Sequence, residues 1–320
     1  MHDGNARSPL APVFLAGPTA VGKSAIALAL AERLGGEIIS VDSMQVYTGL
    51  ELGTAEPSAE ERARVPHHLI DVVELSESFD AAKFLRLAEA AVKDIQSRGR
   101  VPIFCGGTGL YFKAWFDGLG AAPPADPRVR AELEATPLAD LLAELERRDP
   151  ATFARIDRQN PRRVIRALEV IRLTGQPFSA QRAAWPSTLD PRPSNCLIAF
   201  TREPADLRAR IEARVDAMFA AGLVEETRAL LPRGLADNPA ALQALGYRQV
   251  VEHLRGARGL GDTIALVKTK TWQFARRQRT WFRRQLAVEW VPLIPQSEPA
   301  AVARELADRI AARSPVAPLD

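Results

Sequence analysis

Val13-Phe14-Leu15-Ala16-Gly17-Pro18-Thr19-Ala20-Val21-Gly22-Lys23-Ser24 is the stretch against which the rest of the chain is read. An apolar run, Val13 to Ala16, meets G-x-x-x-x-G-K-S over residues 17–24, and Ala25 to Leu34 continues as a helix. Strand, glycine loop and helix in that order are the setting of a phosphate-binding loop. Gly17 and Gly22 admit backbone torsions that a side chain forbids. Amides of the loop and of the following helix N-terminus then point at an anion. Lys23 adds a mobile positive charge, and the Ser24 hydroxyl is placed to ligate Mg²⁺. The whole segment from Gly17 to Ser24 is therefore a candidate phosphate or diphosphate site.

The 320 residues suffice for one large domain or a core with an insertion. Hydrophobic content of 47% and charged content of 25% are ordinary for a globular chain. The net charge of +3 permits a nucleic-acid partner without requiring one. Cys105 and Cys196 are the only cysteines, and their spacing suggests no metal or redox motif. No apolar run approaches the roughly 20 residues needed to cross a bilayer. Residues 1–12 lack a signal pattern and read as a disordered lead-in. A cytoplasmic protein without membrane attachment, and a monomer, is expected.

Glu37 to Val41 reads as a buried strand that runs into Asp42-Ser43-Met44-Gln45-Val46-Tyr47. Ligands gather at the carboxyl ends of parallel strands, so Asp42 arrives beside the glycine loop. A turn cap, a Mg²⁺ partner and a general base are all open to it. Gly53-Thr54-Ala55 and Pro66-His67-His68-Leu69-Ile70-Asp71 follow in a loop-rich region, where adjacent histidines without a third ligand suggest hydrogen-bonded loop residues. Apolar spacing from Phe84 to Ile95 marks a helix ended by Gly99. Val101 to Cys105 is a third strand, ending in Gly106-Gly107-Thr108-Gly109. Thr108 can cap the next helix, touch a ligand, or do both.

Ala121 to Asp126 reads as a linker, and Pro127 to Gly175 as short helices interrupted by Pro137, Pro150 and Pro161. Gln176 to Ser194 reads as loop leading back to a core strand, Cys196 to Phe200. The expected fold is thus α/β: a parallel sheet with a P-loop and flanking helices over 13–120 and 195–315, the latter helical at its C-terminal part, with an all-helical insertion over 121–194. Within that insertion Gln159, Asn160, Pro161, Arg162 and Arg163 open a helix. Arginines oppose the dipole preference there, which suggests an external anion. A long helix over 262–286 carries Arg276, Arg277, Arg279, Arg283 and Arg284 with Trp272, Phe274, Trp281 and Phe282 interleaved. No acidic residue balances them between Asp262 and Glu289. A solvated face and a contact with nucleic-acid phosphates both remain open.

A small-molecule kinase, a transferase that uses the loop to hold a leaving diphosphate, and a nucleotide-switched RNA-binding protein all use such loops. Kinases and switches place a Mg²⁺-holding aspartate at a strand end; only Asp42 fits that pattern. Eight motifs in order, GPTAVGKS (17–24), DSMQVY (42–47), GTA (53–55), PHHLID (66–71), GGTGLY (106–111), QNPRRVIRALEV (159–170), GYRQ (246–249) and TWQFARRQRTWFR (271–283), resemble the tRNA isopentenyltransferase family of the bacterial type. The resemblance implies transfer of a dimethylallyl group from dimethylallyl diphosphate to the N6 amine of an adenosine at tRNA position 37, beside the anticodon. It implies a diphosphate in the glycine loop, with Mg²⁺. By the same resemblance Asp42 is the general base, Thr108 contacts the target adenosine, and Arg214 holds the leaving diphosphate. Ser43, Met44, Gln45, Arg130, the stretch Gln159 to Arg163, Arg248, Arg276, Arg277 and Arg279 are then expected tRNA contacts, with the helical insertion on the anticodon stem.

If the arginine run meets RNA phosphates, replacing Arg276, Arg277 and Arg279 together by alanine weakens RNA binding. It also lowers the log–log salt slope by about 0.7 to 0.9 per lost contact. Filter binding at several salt concentrations reads this; an unchanged slope would place the three on a solvated face.

Overall fold

Leu15 and Ala16, with no exposed surface, lie in the interior of a six-stranded sheet in a computed structural model that describes residues 11–120, 122–181 and 197–313. The described residues fall into two units, those within Met1–Lys113 and Leu189–Asp320 and those within Ala114–Thr188. In chain order the first part holds β1 (Val13–Ala16), α1 (Lys23–Leu34), β2 (Gly36–Val41), α2 (Ala59–Arg64), β3 (His67–His68), α3 (Ala81–Ser97), β4 (Val101–Gly106) and α4 (Gly109–Asp117). The smaller unit begins within α4 and carries α5 (Pro127–Ala135), α6 (Leu138–Arg148), α7 (Pro150–Phe153), α8 (Pro161–Thr174) and α9 (Phe178–Gln181). The larger unit resumes with β5 (Leu197–Arg202), α10 (Pro204–Ala220), α11 (Leu223–Leu230), α12 (Tyr247–Leu254), α13 (Leu260–Gln285), β6 (Val288–Leu293) and α14 (Pro299–Arg313). Strand order is β3-β2-β4-β1-β5-β6 and every pairing is parallel.

Parallel strands buried on both faces need continuous apolar runs rather than alternation, and β1, β2 and β4 have them. Their carboxyl ends are in register: Ala16 pairs with Gly106, and Gly106 with Val41. Gly106 is required there, because a Cβ would stand 2.1 Å from the Val41 carbonyl oxygen. One face of the sheet packs on α1 and α14 through Ile26, Leu30, Leu306 and Ala307. A second core, around Tyr47, Leu50, Leu223, Leu230 and Tyr247, supports the loops beyond β2.

The smaller unit has its own apolar core of Leu133, Leu141, Leu145, Val164 and Leu168. Pro127, Pro150 and Pro161 do not break its helices; they start them, at the first helical turn where the missing N–H costs nothing. Buried Glu169 ties α5 to α8, accepting from the Asp126 amide (3.1 Å), Arg130 (3.0 Å) and Arg166 (2.7 Å).

Several local expectations change. The histidine pair lies in an edge strand, β3, and not in a loop; His68 Nε2 meets the buried Glu37 carboxylate at 2.7 Å, which Arg98 shares. The C-terminal third is not wholly helical, since β6 closes the sheet; its Pro292 is tolerated because β6 is an edge strand. Phe178–Gln181 is helical within the stretch read as loop. The lead-in over residues 1–10, Ala121, the remaining loop over 182–194 and Cys196 lie outside the described residues. Among the described residues no helix is long and apolar enough to cross a membrane.

Gly106→Ala is expected to destabilise the protein by about 1–3 kcal/mol, the usual cost of overpacking, because backbone must move to admit the methyl. Gly261→Ala, where a Cβ meets nothing, is expected to be neutral or slightly stabilising. Urea denaturation distinguishes them; equal midpoints would contradict the packing argument.

Candidate active site

The loop after β1 is shaped from outside as well as by its glycines. Gly17 (φ 152°), Ala20 (φ 63°) and Gly22 (φ 105°) take conformations that turn the chain sharply before α1. Arg202 at the end of β5 donates from Nε to the Val21 carbonyl (2.7 Å), and Arg210 on α10 donates to the Ala20 carbonyl (2.9 Å). Holding those carbonyls outward turns the intervening peptide units, so their N–H groups face the other way. No side chain caps the start of α1, which leaves its first amides for a ligand.

Asp42 and Thr108 meet at the ends of β2 and β4. The Thr108 amide donates to the Val41 carbonyl (3.1 Å), and the Thr108 hydroxyl accepts from the Ser43 amide (3.1 Å). Asp42 Oδ1 accepts from the Met44 amide (2.9 Å), closing a turn. The turn-cap role therefore exists, and it orients the carboxylate without using Oδ2. Asp42, Ser43, Met44, Thr54 and Thr108 line a cavity of about 280 Å³, walled on its apolar side by Met218, Leu245, Val267 and Phe274.

A second cavity, about 500 Å³, is lined by Gly22, Lys23, Ser24, Ala25 and Cys105. Arg214 borders both cavities. Its guanidinium donates to the Thr19 hydroxyl (3.3 Å) and to the Thr54 carbonyl (3.4 Å). Burial pulls the Lys23 ammonium below its ordinary pKa; Asp42 opposes this and Arg214 reinforces it. Burial likewise lowers Arg214, against the pull of Asp42. Two desolvated cations beside a single carboxylate favour the arrival of an anion. Burial pushes the Cys105 thiol up to about 11, so it is a neutral wall residue.

Findings from known proteins agree with this constellation. The model of the family described as IPP transferase matches residues 45–285. A tRNA dimethylallyltransferase of Anaeromyxobacter dehalogenans (strain 2CP-C) is 47% identical over 301 residues, 93% of this chain and 99% of its own. One from Halorhodospira halophila is 51% identical over 86% of this chain and 91% of its own. The crystal structure of a tRNA isopentenylpyrophosphate transferase from Bacillus halodurans is 38% identical with a TM-score of 0.68, covering 96% of this chain and 98% of that one. A eukaryotic dimethylallyltransferase solved acting on tRNA is 25% identical with a TM-score of 0.74, covering 96% and 81%. The chain belongs to the IPP transferase family.

Within this family member the expected site residues do not all gather in one place. Thr19, Ala20, Gly22, Lys23, Ser24, Asp42, Ser43, Met44, Thr108 and Arg214 line the two adjoining cavities, while Gly17, Pro18 and Val21 line neither. Arg277 borders the smaller cavity, while Arg276 lines a neighbouring groove with Trp281 and Arg284. Among the described residues, none of Arg276, Arg277, Arg279, Arg283 and Arg284 makes an ion pair. Gln45 lines the larger cavity while bonded within the fold: it accepts from Ser40 (2.7 Å) and donates to the Thr54 and Ala55 carbonyls (3.3 and 3.2 Å). Arg130 is engaged by Glu169 within the smaller unit, and Arg248 pairs with Glu252 (3.1 Å). Gln159, Arg162 and Arg163 are exposed around the start of α8, with Asn160 partly so.

Four positions escaped the sequence reading. Arg202 ends a strand at the ligand edge, and Arg210 sits one helical turn before Arg214, so the spacing was there to be read. Gln278 occupies the buried stripe Thr271, Ala275, Gln278, Phe282 of α13, where a polar residue is out of place. Glu56, in the larger cavity, has a side chain only 3% exposed and pairs with Arg62 (2.5 Å), while its Oε1 has no partner.

Burial, with Asp71 nearby, pushes the Glu56 carboxyl up to about 8, against the pull of Arg62. A folded-state pKa above the unfolded one means the native protein holds the extra proton between about pH 4.5 and 8. Stability from this group is therefore lost as pH rises through that window. Glu56→Gln removes the titration, so its melting temperature should gain on the wild type from pH 5 to about pH 8 and then level off. A difference independent of pH would contradict this.

Proposed function

We propose that the protein moves a dimethylallyl group from dimethylallyl diphosphate to the N6 amine of an adenosine adjoining the anticodon of tRNA. The observation that carries the reading is the pair of cavities sharing Arg214, one built for an anion and one holding Asp42 and Thr108. Their adjacency suits a reaction in which an allylic C–O bond breaks on one side and a C–N bond forms on the other. The names of the relatives, tRNA dimethylallyltransferases and tRNA isopentenylpyrophosphate transferases, favour it over a kinase or a nucleotide switch.

Asp42 takes a proton from the adenine amine as the new bond forms. That amine is a poor nucleophile, its lone pair delocalised into the ring, and a positioned base is typically worth 10²- to 10⁴-fold. Thr108, its hydroxyl already accepting from Ser43, keeps its own proton to donate to the adenine or the reacting centre. Lys23, Arg214 and the first amides of α1 stabilise charge growing on the departing diphosphate. The apolar wall of Met218, Val267 and Phe274 suits the five-carbon group. A base stacked in an anticodon loop has to leave the stack to enter, at a cost of a few kcal/mol. The exposed arginines of α13 and the start of α8 are assigned to the RNA backbone contacts that offset it.

Mg²⁺ fits the donor set. Among the described residues no three His, Cys, Asp or Glu side chains form a cage. A hard cation that takes most of its ligands from phosphate oxygens and water needs none. Ser24 Oγ, in the lining of the larger cavity beside Lys23, would hold it. When bound it neutralises diphosphate charge.

Purified protein with dimethylallyl diphosphate, Mg²⁺ and tRNA should add one C5H8 unit to a single nucleoside by mass spectrometry, with adenosine monophosphate a poor competitor. ATP turnover without modified RNA would overturn the reading. Asp42→Asn keeps the oxygen that closes the turn on Met44, so it should cut turnover by at least ~10²-fold with little change in RNA binding. Near-normal turnover would remove Asp42 as the base.

A further inference from the structure

Gln278 lies inside the arginine-rich part of α13, yet it is buried while Arg276 and Arg277 are exposed. Its carboxamide is used at both ends. Oε1 accepts from the Thr19 amide (2.9 Å), and Nε2 donates to the Gly107 carbonyl (3.0 Å). The assignment of oxygen and nitrogen is forced, because an amide N–H can only donate and a carbonyl only accept. The fit is close: a Cβ on Gly107 would lie 2.3 Å from Nε2, and one on Gly109 would lie 2.1 Å from the Trp281 ring, one turn further along α13. One planar group thus bridges the phosphate-binding loop and the Gly-Gly-Thr turn. It also withdraws the Thr19 N–H from any phosphate, leaving anion binding to the amides nearer α1.

We propose that Gln278 is a positioning residue whose carboxamide sets the spacing between the loop that holds the allyl donor and the turn that carries Thr108. The proposal rests on the prenyl-transfer reading above. Donor carbon and adenine nitrogen must meet at near-attack distance, and a misplacement of about 1 Å can cost ~10²-fold in rate. Leucine or methionine at this stripe position would serve the core equally well; the amide serves the two loops. Gln278 lines neither cavity, so its loss should lower kcat while the separate binding surfaces persist.

Two variants test this. Gln278→Met, of similar volume, should lower kcat about 10- to 100-fold with KM for RNA and donor within about threefold of wild type. Gln278→Glu keeps the acceptor for Thr19 but sets a second oxygen against the Gly107 carbonyl, and protonation of the introduced carboxyl restores the donor. Burial raises the pKa of such a group, so kcat of this variant relative to wild type should climb as pH falls from 8 to 6. A kcat for Gln278→Met within about threefold of wild type, KM rising in step with its loss, or a flat ratio for Gln278→Glu would overturn the proposal. Should Gln278→Met fail to fold, the pH ratio of Gln278→Glu decides alone. Amide hydrogen exchange at Thr19 reads the latch without catalysis: slow in wild type and at least about tenfold faster in a folded Gln278→Met variant, since the protecting bond is gone. Equal exchange would overturn the latch. An inactive wild type with the exchange difference intact would instead remove only the prenyl-transfer reading.

Discussion

The contact of Gly106 with the Val41 backbone, too tight for any Cβ, is the constraint on which the site depends. It draws the ends of β2 and β4 together, and in doing so it sets Thr108 beside Ser43 and Asp42. β1 ends in the same register, so the phosphate-binding loop opens onto the same edge. Three strand ends, one glycine contact and a pair of hydrogen bonds place an anion cradle, a carboxylate and a hydroxyl in adjoining cavities. The sheet itself is generic; the close approach at its carboxyl edge is specific.

Electrostatics then gives the edge its chemistry. Lys23 and Arg214 are both desolvated and both held below their ordinary pKa, with Asp42 as a shared partner. Arg202 and Arg210 hold the carbonyls of the loop and fix its shape, and Arg210 also lines the larger cavity. The division of labour among the arginines follows from where each side chain reaches: Arg202 and Arg210 to the loop carbonyls, Arg214 between the cavities, and Arg276, Arg283 and Arg284 on the exposed side of α13.

Much of this was legible from residues alone. The G-x-x-x-x-G-K-S loop, the strand ending at Asp42 and the strand ending at Gly106-Gly107-Thr108 carry local signals, periodicity and punctuation, that need no tertiary context. The parallel α/β sheet followed from them. What stayed hidden depends on long-range geometry. β6 follows a charged helix and its apolar run is broken by Glu289 and Pro292, and β3 is two histidines long, too few to show a period. Arg248 of the GYRQ motif was expected on the RNA, and its neighbour Tyr247 was assigned no role. Tyr247 is buried, donating to Glu226 and accepting from the Gly53 amide (3.1 Å), against a glycine that a Cβ would make impossible. Gln278 was masked by its arginine neighbours, although its place in a buried stripe was a signal. Arg130 and Gln45 matched family stretches, yet buried Glu169 and the carbonyls of Thr54 and Ala55 give them work inside the fold.

On the proposed reading the glycine loop holds a leaving diphosphate while the nucleophile enters on RNA from the Asp42 side. A crystal structure of the protein with an anticodon stem-loop RNA, inorganic diphosphate and Mg²⁺ tests it most directly. Diphosphate is expected on the first amides of α1, within reach of Lys23 and Arg214, with an unstacked adenine whose amine faces Asp42. Diphosphate bound elsewhere, or an adenine still stacked in the loop with Asp42 facing solvent, would contradict it.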